Sequence, residues 1–164
     1  MDAGAEERFK AYVQELAPVL GRRARGDRMR DYCTGLMLPL ERKSIEPVAA
    51  ALSPERVSAE HQSLMHFVSE SPWEDAPFLR RVAEVALPKL TAQSPIAAWI
   101  VDDTQFRKKG EHSVGVARQY CGELGKADNC QAAVSLSLAN AHGSLPVAFR
   151  LYLPKLWAED KARR

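Results

Sequence analysis

The chain has 164 residues, 46% of them hydrophobic and 27% charged, enough apolar material for one good core or two small ones. Its net charge of +2 gives no bulk electrostatic sign of a nucleic-acid partner, and no apolar run approaches the roughly 18 residues of a bilayer span. The N-terminus is acidic where a signal peptide is basic, and Cys33, Cys121 and Cys130 form an odd set without a CxxC pair. The expectation is a cytoplasmic protein, in a reducing compartment and away from membranes.

Up to about Leu90 the apolar residues recur at helical spacing. Phe9, Val13, Leu16 and Leu20 stripe one face of a first helix, and Met29, Cys33, Leu36, Met37 and Leu40 stripe a second. Ser44 is suited to cap a short helix carrying Ile45, Val48, Ala49 and Leu52, with Pro47 tolerated in its first turn. Ser53-Pro54 breaks that helix, and Ser58 can cap the next, whose buried face is expected to be Leu64, Phe67 and Val68. Asp75 can cap a helix that turns Phe78, Leu79, Val82 and Ala86 inward. Pro88 is expected to end it, leaving Thr91–Pro95 as a polar linker.

From Ile96 the period changes. Ile96–Val101 reads as a strand buried on both faces that ends abruptly at Asp102-Asp103. Cys130–Ala139 and Leu145–Leu153 read as a hairpin about a turn at Asn140–Gly143. The fold class is α+β: a helical region over 1–90, then three strands over 96–164 with no helix left to cover them, the beginning of a larger α/β sheet.

Asp102 and Asp103 close the predicted strand, where ligands gather in α/β sheets. Either one of them ligates a hard divalent cation such as Mg²⁺, or the two cap a loop; adjacent strand residues face opposite ways, so only one aims into a given site. Arg107, Lys108 and Lys109 follow. They can grip a phosphodiester backbone, or form a solvated hairpin paired with Asp102, Asp103 or Glu111. His112, Cys121, Cys130 and His142 lack zinc-site spacing, and no triad of nucleophilic catalysis has local support. In the first half, Gly21–Arg30 holds five arginines in ten positions, among them Arg22, Arg23 and Arg25, and Arg42 and Lys43 follow. The helices around Ser53–Val57 have the form of a helix-turn-helix, with Ala59–Ser69 as candidate recognition helix displaying Gln62, Ser63 and His66. The alternative is a plain helical bundle with a solvated charged surface.

Several linked motifs carry a resemblance. Val101-Asp102-Asp103-Thr104, Arg107-Lys108-Lys109-Gly110, the stretch His112–Tyr120, Gly122-x-Leu124-Gly125, Asn129-Cys130-Gln131 and Leu151-Tyr152-Leu153-Pro154 with Trp157 occur in that order. Together they resemble the DDE-superfamily endonuclease domain of bacterial insertion-sequence transposases, and Glu41–Ser44, Glu46-Pro47 and Ser71-Pro72-Trp73 resemble the helical N-terminal region of the same group.

The resemblance implies a ribonuclease-H-like domain in which two Asp and one Glu hold two divalent ions, Mg²⁺ or Mn²⁺, for in-line attack on phosphorus. The first Asp of that set is Asp102 on a literal reading of the Asp-x-Thr pattern, or Asp103 if it is the residue before Thr104; Asp102 is favoured as the metal ligand. Arg107, Lys108 and Lys109 then contact the DNA backbone, while Arg22, Arg23, Arg25, Arg42, Lys43, Gln62 and His66 serve binding of double-stranded transposon ends. The second Asp and the Glu of such transposases lie beyond the third strand. The resemblance therefore implies a truncated catalytic domain, inactive alone, with full-length transposase as a further partner. A DNA-binding repressor or inhibitor derived from a transposase, or a remnant without function, are the alternatives.

Overall fold

Six helices and four strands follow one another along residues 3–160, the part of the chain that the computed structural model describes. They divide into two compact units, Met1–Val85 and Ala86–Arg164.

In the first unit, α1 (Ala3–Leu16) passes into a 3-10 turn, Ala17–Leu20. Gly21 closes that turn at φ +78°, where an L side chain is strained, and donates its N–H to the Pro18 carbonyl at 3.1 Å. Then α2 (Arg23–Met37) begins. The predicted stripe of Val13, Leu16 and Leu20 is buried with Met29 of α2 and Phe67, and Phe9, Tyr12, Cys33, Trp73, Phe78 and Val82 pack around them. Trp73 stacks on Phe67, centroids 5.8 Å apart, and its indole N–H donates to the Phe67 carbonyl at 3.0 Å, so the ring is half-buried without losing its hydrogen bond.

A second cluster joins Val48 and Ala49 of α3 (Ile45–Leu52) to Leu64 of α4 (Val57–Ser69), with Leu40, Ile45, Leu52 and Val57 at its margin. Gly35 of α2 lies against Val48, where a Cβ would overlap the valine. Three details depart from the sequence reading. Ser44 precedes α3 but makes no capping bond with its side chain, and Ser58 lies inside α4. Val68 is exposed, because it sits one residue, about 100° of helix, past the buried Phe67.

Pro88 does not end α5 (Asp75–Thr91). Pro88 removes its own N–H, but the turn beyond it is still bonded: the Ala92 N–H reaches the Pro88 carbonyl at 3.0 Å and the Thr91 hydroxyl donates to the Leu87 carbonyl at 3.0 Å. Thr91 thus belongs to the helix and not to a linker.

The second unit contains β1 (Ala98–Arg107), β2 (Ala117–Cys121), β3 (Lys126–Asn140), β4 (Gly143–Leu151) and the short α6 (Lys155–Ala158). All strand pairs are antiparallel. β3 holds the sheet together: β1 runs along one edge, from Arg107↔Cys130 to Ala98↔Ala139. β2 and β4 share the other edge, β2 opposite Lys126–Cys130 and β4 opposite Ala133–Asn140. The predicted turn at Asn140–Gly143 is present. Asn140 accepts the His142 N–H on Oδ1 (2.9 Å), and its Nδ2 donates to the carbonyls of Leu90 (3.0 Å) and Ser94 (2.8 Å). Val116, Cys121, Cys130, Ala132 and Trp157 are buried, and the Trp157 indole donates to the Val116 carbonyl at 2.7 Å.

Two expectations change here. β1 continues through Arg107, which places Asp102 and Asp103 in mid-strand, and it is not buried on both faces: Trp99 and Val101 are 73% and 70% exposed. A ladder needs only backbone partners, so polar residues do not stop a strand that one neighbour already holds. β2, unpredicted, brings the described strands to four. Helices first and an antiparallel sheet after them make the α+β class read from the sequence, in keeping with the opening strands of a ribonuclease-H-like domain.

Candidate functional site: an acid-bearing strand and a basic cleft

Alternation along β1 puts Val101, Asp103, Gln105 and Arg107 on one face and Asp102, Thr104 and Phe106 on the other. Asp102 accepts the Asp103 N–H on Oδ1 at 2.9 Å, and its carbonyl accepts the hydroxyl of its cross-strand partner Ser135 at 3.4 Å. Asp103 accepts a hydrogen bond from Gln105 Nε2, and Gln105 Oε1 in turn accepts the Gly122 N–H at 3.1 Å. Gln105 thereby ties Asp103 to the turn after β2. Asp103, with Asp102 beside it, borders a groove of about 470 Å³ walled by Gln105, Gln119, Tyr120 and Tyr152. Both carboxylates are exposed, so they escape the desolvation cost that a strand buried on both faces would impose.

At the end of the strand, Arg107 Nε lies 3.9 Å from Asp128 on β3. The next turn is pinned through backbone: Lys108 N–H donates to the Asn129 carbonyl (3.0 Å), and Asn129 Nδ2 donates to the carbonyls of Lys108 (2.8 Å) and Gly110 (3.0 Å). The ammonium groups of Lys108 and Lys109 have no partner among the described residues.

Strand alternation turns Asp102 and Asp103 to opposite sides of β1, although both border the groove. Among the described residues no three His, Cys, Asp or Glu side chains converge to hold a metal. These residues by themselves therefore do not fit a two-metal centre, and no chemical step is assigned to them.

The arginines of Gly21–Arg30 sort into two kinds. Arg25 donates to the Leu20 carbonyl at 2.9 Å. Arg28 bridges Asp31 (2.6 Å) and the buried Glu60 (2.7 Å), fastening α2 to α4, and Arg30 lies 3.3 Å from both Asp27 and Asp31. Arg22 and Arg23, at the start of α2, are exposed and their guanidinium groups have no partner among the described residues. Arg42 is likewise exposed and unpaired there, while Lys43 donates to the Leu38 carbonyl. On α4, Gln62 is exposed, and His66 Nδ1 is 3.1 Å from Glu70. A cleft of about 450 Å³ gathers Arg22, Arg25 and Arg28 with Ser63 and His66. Arg22 also borders a second cleft, about 610 Å³, shared with Arg23 and Arg30.

Sequence reasoning missed Glu60 as the partner of Arg28, and missed Gln105, Gln119, Tyr120 and Tyr152 around Asp103. Gln105 had a signal, since it stands two residues beyond Asp103 and so on the same strand face. The others depend on β2 and on the course of the chain after β4.

Among the described residues no helix is long and apolar enough to cross a membrane. The chain matches the DDE superfamily endonuclease family over residues 15–164. It is 34% identical over 131 residues to a probable transposase for insertion sequence element IS701 from Microchaete diplosiphon, an alignment covering 79% of this chain and 33% of that protein. The chain thus spans about a third of the length of the relative it matches. No solved structure matches it.

Proposed function

This chain belongs to the DDE superfamily endonuclease family, and from that premise we propose that it supplies the DNA-binding helices and the first-carboxylate strand of an insertion-sequence transposase. The observation that carries the reading is the Asp102-Asp103-Thr104 motif in the middle of β1, inside the matched region, with the free ammonium groups of Lys108 and Lys109 just past the strand's end. Asp102 is the proposed ligand for Mg²⁺ or Mn²⁺. One carboxylate oxygen of Asp102 accepts the Asp103 N–H and one of Asp103 accepts from Gln105, so the Asp-x-Thr spacing, not the hydrogen bonding, favours Asp102. Lys108, Lys109 and Arg107 are the proposed backbone-contacting cations, and double-stranded transposon-end DNA is the proposed substrate.

A two-metal centre needs more carboxylates than the described residues bring together. The chain alone is therefore expected not to cut DNA. Insertion-sequence end DNA, incubated with the chain and Mg²⁺ or Mn²⁺, should stay as intact as a no-protein control. Metal-dependent nicking that Asp102→Ala and Asp103→Ala together abolish would overturn this.

The free Arg22 and Arg23 favour a second reading, a DNA-binding repressor or inhibitor of full-length transposase. Salt-dependent duplex binding without cleavage would support it.

A further inference from the structure

The helical unit offers DNA two kinds of surface, and their side chains point to different modes of binding. A recognition helix must present protruding donors and acceptors to base edges. α4 does not. Glu60, Leu64 and Phe67 are buried, and Ser63 and His66 open sideways into the cleft with the arginines, where Glu70 already engages His66. Outward, α4 leaves Gln62 beside the apolar Met65 and Val68, with Ser58 and Ser69 at its ends and the Ser69 hydroxyl turned onto Met65 Sδ at 3.3 Å.

The start of α2 is built otherwise. Arg25, Arg28 and Arg30 are spent on protein carbonyls and carboxylates, which leaves Arg22 and Arg23 as the free cations of that stretch. Arg22 precedes α2 in extended backbone and Arg23 is the helix's first residue. Arg22 borders both clefts and Arg23 only the second, so the two guanidinium groups flank the first turn of α2.

We propose that the helical unit holds duplex DNA by its phosphate backbone, through Arg22 and Arg23 at the start of α2, and that α4 does not read base edges. The proposal rests on the DNA-binding reading above and deepens it. Guanidinium forks engage phosphate oxygens without regard to sequence, and each neutralised phosphate releases counterions.

The test is the salt dependence of binding of the full chain to short duplexes of different mixed sequences. Arg22→Gln with Arg23→Gln should make the slope of log K against log salt shallower by about 1.8, so that over a fourfold rise in salt the variant loses about 12-fold less affinity than the parent. Replacing both by lysine should keep the parental slope, since the charge remains. Arg8→Gln with Arg80→Gln removes the same charge from other exposed, unpaired arginines and should leave the slope unchanged. All three double variants should melt at the parental temperature, because no described residue loses a partner.

An unchanged slope in the glutamine variant, or an equal change in the Arg8/Arg80 variant, overturns the assignment. So does a sequence preference that Gln62→Ala abolishes. Failure of the parent chain to bind any duplex at low salt would defeat the DNA-binding reading itself, and this proposal with it. Binding by the parent chain whose salt slope survives the Arg22/Arg23 change defeats only the proposal.

Discussion

The two units of this chain solve the same problem with unequal success. The helical unit closes two apolar clusters, and Leu20, Val48, Ala49 and Leu64 are essentially sealed from water. The sheet unit buries Val116, Cys121, Cys130, Ala132 and Trp157, yet leaves Trp99, Ile100, Val101, Phe106, Phe149 and Leu151 exposed. The reason lies in geometry. A helix carries its apolar stripe on one side and a neighbouring helix can cover it, whereas a sheet has two faces and needs a layer on each. β1 is held by its ladder to β3 while most of its side chains remain in water.

The contrast can be broken most directly by truncating one large apolar residue in each unit. Leu64→Ala, at a site with no exposure, should cost about 3 kcal/mol in a denaturant titration, and Trp99→Ala no more than about 0.5 kcal/mol. Equal costs would mean that β1 is covered in solution. A smaller effect is expected at the joint between α2 and α4. Arg28→Ala strands the Glu60 carboxylate, 11% exposed, without its cation and should cost about 2 kcal/mol, while Glu60→Gln with Arg28→Met should recover part of it.

The smallest effect compares one thiol from each unit. Burial pushes Cys33 above the usual thiol range, and burial followed by the neighbouring Cys121 and Asp128 does the same for Cys130. The native chain then keeps these protons where the unfolded chain releases them. Stability is full below the ordinary thiol range and falls as pH rises through it. Denaturant midpoints measured from neutral to alkaline pH should show that decline, and show less of it in Cys33→Ser and Cys130→Ser; an identical decline in both variants would assign it to other groups.

Much of the helical unit could be read from spacing alone, because its buried residues recur every three or four positions, as Val13, Leu16 and Leu20 do. Position within the period was harder: Val68 reads as core by type and lies outside by angle. In the sheet unit the turn at Asn140–Gly143 announced itself, but β2 did not, since Ala117-Arg-Gln-Tyr-Cys121 has neither an apolar run nor clean alternation. The acids of β1 read as a strand end for a related reason, because hydropathy marks burial and β1 is held by hydrogen bonds instead. The motif residues of the candidate site were legible as a motif. Their surroundings were not: Gln105 on Asp103 and Glu60 on Arg28 arise from pairings distant in sequence or from a strand extended beyond its apolar part.

The shared strand β3 also sets a timetable. β2 and β4 meet it through tight neighbouring turns, Cys121↔Lys126 and Asn140↔Gly143, but Ala98 of β1 must wait for Ala139. On a ribosome adding about 5–20 residues per second, β1 emerges roughly several seconds before its partner is complete. Throughout that interval Trp99, Ile100 and Val101 travel as an unpaired nascent segment, the kind of stretch that chaperones bind and that neighbouring chains can capture. The strand that bears the acid pair is thus the first of the described strands to be made and the one that waits longest for its partner.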